Sequence, residues 1–283
     1  MKILITGSNG FIAKELIFRL ERNGHEIIAT NRDSLDVLDS YVVDKFFNKN
    51  TVDVVIHCAI SGGRRNQHDT PHVLHNNKLM FESLVRHRDK YGLMITFGSG
   101  TEKDKYQNIH SCLEEEFVDQ NKSIPADYYG LSKYAIAKRI YDINDNILNL
   151  RIFNVFGEYE ATDRMIKANI INYCNKKPIE IHKDRTMDFV GAEDLYRVVE
   201  YYINCGAENV EGRSINISYE KKTTLQQVAQ IINSLSSHKS QIIIKESGMG
   251  PSYCGDGRKL HALGLNLIGL EASLKQVYNK WKE

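Results

Sequence analysis

Short apolar runs alternate with longer amphipathic stretches through the first half of the chain. Ile3 to Thr6, Glu26 to Thr30, Val52 to Cys58, Leu93 to Phe97 and Leu148 to Phe153 are too short for helices and predict buried strands. Between them, Phe11 to Arg22 sets Ile12, Leu16, Ile17 and Leu20 on one helical face, and Asn76 to Arg88 and Ser132 to Asp142 repeat the helical period. Short buried strands joined by helices imply right-handed crossovers and a parallel sheet covered on both faces, a doubly wound α/β fold. From residue 158 onward the pattern loosens. It predicts a helix over Arg164 to Cys174, strands at Ile215 to Ser218 and Gln241 to Lys245, a capped helix from Thr224 and a terminal helix ending near Trp281. The expected organisation is one unit over 1–157, with segments near 186–218 returning to it, and a smaller α/β lobe over 158–283.

A chain of 283 residues is long enough for such a core and lobe. With 37 Lys and Arg against 36 Asp and Glu, and no basic stripe, nucleic acid is not an expected partner. The five cysteines are widely spaced and lack a CxxC pair, so neither a disulfide framework nor a zinc site is signalled, and a reducing, cytoplasmic setting is expected. His68, His72, His75 and His110 lack metal-ligand spacing, so no metal is expected. No window approaches the roughly 20 apolar residues of a membrane span.

Candidate chemistry begins at Gly7-Ser8-Asn9-Gly10-Phe11-Ile12-Ala13, between a predicted strand and a predicted helix. Gly7 permits a tight turn, Gly10 allows close approach of a pyrophosphate, Ala13 suits helix-on-strand packing, and the helix N-terminus offers free N–H donors. A plain turn without ligand has the same glycines, but a phosphate-loop NTPase is disfavoured because no Gly-Lys-Ser/Thr follows. After the second strand comes Arg32-Asp33. An arginine there pairs with a ribose 2′-phosphate and a carboxylate with the 2′-hydroxyl, so Arg32 favours NADPH while Asp33 keeps NADH open. Tyr129 and Lys133 stand four residues apart, so on a helix they share a face, where an ammonium can lower the phenol's pKa and assist proton exchange. The pair follows the strand ending at Ser99, whose hydroxyl can polarise the same substrate oxygen.

Taken together these stretches resemble the extended short-chain dehydrogenase/reductases that act on nucleotide-activated sugars. The likeness is carried by Thr6 to Ile12, Asp53 to Ala59, Gly98 to Gly100, Tyr129 with Lys133, Arg151 to Gly157, Asp188 to Asp194 and Ile215 to Ser218. It implies a Rossmann-type dinucleotide-binding domain. Arg32 to Ser40 is similar to the NADPH-using branch with GDP-fucose synthase and dTDP-4-dehydrorhamnose reductase, which places Asp36 and Val37 near the adenine and Ala59 in the dinucleotide cleft.

Within that family, neighbours of Ser99 separate the reactions. The 4,6-dehydratases carry Asp-Glu after the catalytic hydroxyl, where this chain has Gly100 and Thr101, with Glu102 one residue out of register. The epimerase-reductases carry a cysteine two residues beyond the serine and a later histidine; here the first is Thr101, and no histidine lies between His110 and His182. What the resemblance leaves is hydride transfer with a single proton. A reductase of a nucleotide-linked 4-keto sugar is the first expectation, with Tyr129 as donor, Lys133 lowering its pKa, Ser99 orienting the carbonyl and Thr101 assisting. A 4-epimerase with tightly held NAD is the alternative, and a non-catalytic dinucleotide sensor the second. Asn154 is expected at the nucleotide diphosphate, and Arg64, Arg65, Arg164, Lys167 or Arg185 as phosphate partners. Relatives often carry arginine where this chain has Met187, and Arg185 stands two residues earlier. Relatives also dimerise through a four-helix bundle, here Asn76 to Arg88 with Tyr129 to Asp142, and the spacing of Phe81, Leu84 and Val85 suits either that seam or an ordinary core face.

Overall fold

The computed structural model describes residues 1–64, 67–117, 124–206, 208, 210 and 213–282. Six strands form its main sheet: β1 (Lys2–Thr6), β2 (Glu26–Thr30), β3 (Val54–His57), β4 (Leu93–Ser99), β5 (Ile147–Ile152) and β6 (Ser214–Ile217). Their order is β6-β5-β4-β3-β1-β2, and every pairing is parallel. The winding therefore reverses between β1 and β3, and the crevice beyond their C-terminal ends is where such sheets take ligands.

Alternation along β1 sends Ile3 and Ile5 to one face and Leu4 to the other. The first face packs on α1 (Phe11–Arg22) and on α6 (Ala192–Cys205), through Leu16, Leu20, Leu195, Val198 and Val199. The second packs on α2 (Ser40–Phe47), α3 (Pro71–Val85) and α4 (Tyr128–Ile143), through Val43, Phe47, Phe81, Leu84, Ile136 and Ile140. Phe81, Leu84 and Val85 are thus core residues of this chain, not a seam between copies, because they face the sheet beneath α3.

α3 starts earlier than the periodicity predicts. Thr70 is its N-cap and Pro71 its first residue, where a fixed φ and a missing N–H cost nothing. α4 also starts early, at Tyr128, because the Asp127 carboxylate accepts from the Gly130 N–H at 2.9 Å, an N-cap that brings Tyr129 into the first turn.

A third cluster fills the later part of the chain, with Ile166, Ile170, Tyr173, Ile179, Ile181, Leu225, Val228 and Leu274 at its centre. They come from α5 (Met165–Cys174), the strand Ile179–Asp184, α7 (Leu225–Asn233) and the terminal helix Gly269–Trp281. The strand at Ile242–Met249 pairs in parallel with Ile179–Asp184. Among the described residues, no helix is long and apolar enough to cross a membrane.

Candidate active site

Gly7 adopts φ +67°, and a Cβ there would lie 2.6 Å from the Ala59 nitrogen and 2.7 Å from its Cα, so no larger residue fits between β1 and the end of β3. The turn closes as the Gly10 N–H donates to the Gly7 carbonyl at 2.9 Å, and α1 then starts with no side chain capping its first turn. Its donors remain available to an anion. This side-chain-free cradle fits a dinucleotide pyrophosphate. Asn9 is exposed at its rim, and Phe11, Ile12 and Ala59 line a cavity of about 600 Å³ that opens from it. Arg32 is exposed on the loop after β2, where the Asn31 side chain accepts from the N–H groups of Asp33 and Ser34. Asp36 is half-buried and accepts from the Leu38 N–H, whereas the Val37 side chain is packed into the core.

The other wall of the cavity carries Ser99, Thr101, Tyr129 and Lys133. Ser99 ends β4. Its Oγ accepts both from the Thr101 N–H, at 3.2 Å, and from the Thr101 hydroxyl, at 2.9 Å, which leaves its own proton to be donated elsewhere. Thr101 therefore acts on the site through Ser99. Lys133 donates to the Phe97 carbonyl at 2.6 Å and stands 5.8 Å from the centre of the Tyr129 ring. Burial pushes this ammonium down to about 8, against the opposing pull of Glu102 and Cys58. Tyr129 goes the other way from the expectation. Burial first, and then the Glu102 carboxylate, push its phenol up to about 12, while Arg164 and Ser99 pull weakly against them. Lys133 does not reverse this, because its charge is turned to the Phe97 carbonyl beneath the ring. Behind it, His57 Nδ1 bonds the Thr6 hydroxyl at 2.8 Å, and burial, with Lys133 second, holds the imidazole down to about 3 and so neutral.

A second, polar cleft of about 860 Å³ adjoins the first and shares Thr101, Tyr129, Asn154, Arg164 and Arg185 with it. Asn154 donates to the Asp188 carbonyl at 2.9 Å, which fixes it at the junction of the two spaces. Arg185 lies over Met187, its Nε 3.1 Å from the sulfur, so its guanidinium occupies the neighbourhood of the residue where relatives often carry arginine. Arg64 lines the polar cleft from the far side. Lys167 does not join them. Its ammonium donates to the Glu158 and Glu160 carbonyls and sits 4.7 Å over the Trp281 ring, so it is spent holding α5 to the C-terminal helix. Arg164, the other candidate on this segment, lines the cleft, and Arg65 lies outside the described residues.

Sequence reasoning missed Tyr253. It belongs to the short strand Tyr253–Gly255, pairs with Ile109 and Met187, and stacks edge-on against Phe153 at 5.4 Å. Gly100 makes room for it, since a Cβ there would lie 2.8 Å from the Tyr253 Cζ. Burial raises this phenol, and the nearby Ser99 hydroxyl opposes the rise, as it does at Tyr129. Only a single aromatic residue in a glycine-flanked segment signalled it.

A parallel sheet with its winding reversed at a glycine turn, facing a Ser-Tyr-Lys wall, defines a dinucleotide-dependent oxidoreductase, and residues 3–218 match the model of the NAD dependent epimerase/dehydratase family. The chain belongs to that family, and its relatives include nucleotide-sugar-modifying reductases and epimerases. It is 25% identical to a GDP-6-deoxy-D-talose 4-dehydrogenase of Aggregatibacter actinomycetemcomitans, over 95% of this chain and 92% of the relative. It is 26% identical to a putative UDP-glucose 4-epimerase of Methanocaldococcus jannaschii, over 99% and 98%. Among solved structures, a GDP-mannoheptose C4 reductase from Campylobacter jejuni with NADP bound superposes with a TM-score of 0.85 at 19% identity, covering 100% of this chain and 98% of that one.

Proposed function

We propose that the protein is an NADPH-dependent reductase of a nucleotide-activated 4-keto sugar, giving a new hydroxyl at carbon 4 for a glycan precursor. The observation that carries this is the fate of Glu102. The acidic residue nearest Ser99 in sequence is sealed away from the cavity and held by the Ser99 N–H and the Arg151 guanidinium, so it cannot take a proton from a sugar carbon. His110 and His182 are exposed on other strands, so among the described residues neither histidine completes a carbon acid/base pair with a group beside Ser99. Reduction needs one proton only, and the raised phenol of Tyr129 holds it at neutral pH.

In this reading Gly7, Asn9, Gly10, Phe11, Ile12 and Ala59 hold the dinucleotide, with Arg32 at the 2′-phosphate and Asp36 and Val37 by the adenine. The bound nicotinamide supplies hydride. Ser99 and Tyr129 hydrogen-bond the keto oxygen, Tyr129 releases its proton to it, and Lys133 holds the nicotinamide ribose. Donors fixed before the charge develops lower the barrier, because little reorganisation remains to be done. Asn154, Arg185, Arg64 and Arg164 face the diphosphate side. The heptose reductase with NADP bound and the GDP-linked relatives support both the cofactor and a nucleotide sugar. A homodimer built on the outer faces of α3 and α4 completes the reading.

The test is NADPH absorbance with a panel of CDP-, GDP-, dTDP- and UDP-linked 4-keto sugars. Oxidation of NADPH by one of them is expected. Protein purified with tightly held NAD that interconverts 4-epimers without added cofactor would instead identify a 4-epimerase, and NADPH binding without turnover of any sugar would identify a sensor.

A further inference from the structure

Glu102 is more than a residue removed from the chemistry. Its side chain and that of Arg151 have no exposed surface, and Arg151 Nε donates to Glu102 Oε2 at 2.6 Å. The other oxygen, Oε1, accepts from the Ser99 N–H at 2.9 Å and from Asn149 Nδ2 at 3.3 Å. Gly98 leaves the space it needs, since a Cβ there would stand 2.2 Å from Oε1. Arg151 is itself pinned, donating to Asn216 Oδ1 at 3.1 Å and stacking 3.9 Å over the Phe117 ring. A buried ion pair of this kind is weak evidence for stability, because apolar residues of similar volume commonly do as well or better. Here one end of the pair is bonded to the backbone of the serine in the active-site wall.

We propose that Glu102, pinned by Arg151, is a positioning residue: it fixes Ser99 through the backbone N–H and, from behind that serine, acts on Tyr129 and Lys133 through its carboxylate. The inference rests on the reductase reading for the roles of Ser99 and Tyr129. The groups around Tyr129 are Ser99 at the end of β4, Glu102 behind it, Asp69 ahead of α3, Lys133 on its own helix, Arg164 ahead of α5, and Tyr253. Of the charges, Glu102 acts most strongly, in the direction that keeps the phenol protonated, and it also favours the charged form of Lys133. Burial first and then this carboxylate keep Tyr129 in its protonated form, the form from which a ketone takes its proton.

Two variants separate position from charge. Glu102→Asp keeps the charge but shortens the arm that reaches Ser99, whereas Glu102→Gln with Arg151→Gln keeps the length of that arm and removes both charges. Ionisation of Tyr129 is read without substrate, as the tyrosinate absorbance of each protein minus that of its Tyr129→Phe counterpart. Turnover is read as kcat and KM against pH with NADPH and the accepted sugar. In the doubly neutral variant Tyr129 ionises about one pH unit lower in the absorbance titration. In Glu102→Asp the ionisation stays at its wild-type position, while kcat falls about tenfold or more with KM little changed. An unmoved Tyr129 in the doubly neutral variant, or wild-type kcat in Glu102→Asp, overturns the proposal. The aspartate variant decides the positioning half even where the doubly neutral protein does not fold. Because the titration needs no sugar, a shifted Tyr129 in a protein that reduces no sugar counts against the reductase reading alone.

Discussion

Tyr129 and Lys133 share a helical face, yet the lysine does not govern the phenol. Burial and Glu102 set its proton affinity, and the lysine charge is held by a backbone carbonyl. Replacing Tyr129 by phenylalanine keeps the ring and removes the proton, so turnover is expected to fall about 10² to 10⁴-fold while NADPH affinity, measured by fluorescence titration, changes little. An active variant would remove Tyr129 from the donor role. Tyr253 is the residue whose part the structure adds. Tyr253→Phe is expected to lower kcat about tenfold through the loosened Ser99 hydroxyl, with less effect on KM. Arg32, exposed and without an ion pair among the described residues, is available to a phosphate. Arg32→Ala should weaken NADPH binding about tenfold or more and leave NADH nearly untouched, which a comparison of the two dissociation constants decides. Glu160 gives a pH signature. Burial raises its carboxyl to about 8, above its ordinary value, so the folded protein binds the extra proton below that point. Its favourable contribution is complete near pH 4 and is lost as pH rises through 8. Tm measured across that window should therefore fall less steeply in Glu160→Gln than in wild type.

Elements that follow one period were legible in the chain, and those built by tertiary bonds were not. The apolar runs of β1, β3 and β4 and the stripe of α1 read directly, because a strand buried on both faces is mostly apolar, whereas the edge strand β2 exposes Glu26 and Ala29 and β5 buries Asn149 and Arg151. α6 carries Leu195, Val198, Val199 and Tyr202 at helical spacing, yet its opening residues read first as a motif running from Asp188 to Asp194. The structure explains that motif through bonds no spacing reveals. Asp194 accepts from the Ile268 and Gly269 N–H groups at 2.8 and 2.9 Å and from the Tyr219 phenol, so it fixes the start of the terminal helix. Asp188 binds the Ser218 hydroxyl, the Gly255 N–H and Lys222, and so ties the strand of Tyr253 to the end of β6. Asp194→Ala leaves those donors unpaired and should cost about 1 to 3 kcal/mol in denaturant unfolding, with an unchanged midpoint arguing that the terminal helix docks without it. The candidate site divides likewise. Gly7, Ser99, Tyr129, Lys133 and Asn154 were named from motifs, whereas the places of Tyr253 and Lys167 depend on tertiary partners such as Ile109 and Trp281.

At the scale of the molecule, the outer faces of α3 and α4 join through Glu82 and Arg139, at 2.9 Å, and leave Leu79 and Tyr141 exposed. Pairing of these faces between two copies should give twice the chain mass in sedimentation, and Leu79→Glu with Tyr141→Glu should return it to a monomer. A monomeric wild type would rule that interface out.

The sheet order also bears on how the chain is made. β5 lies between β4 and β6, but residues 153–213 separate it from the last strand. On a translating ribosome β5 emerges with one edge unpaired, and that edge stays open until β6 has left the exit tunnel. An uncovered apolar strand edge is a template for pairing with other chains. Nascent chains halted between β5 and β6 should therefore recruit holdase chaperones, and release them once Ile217 is in place.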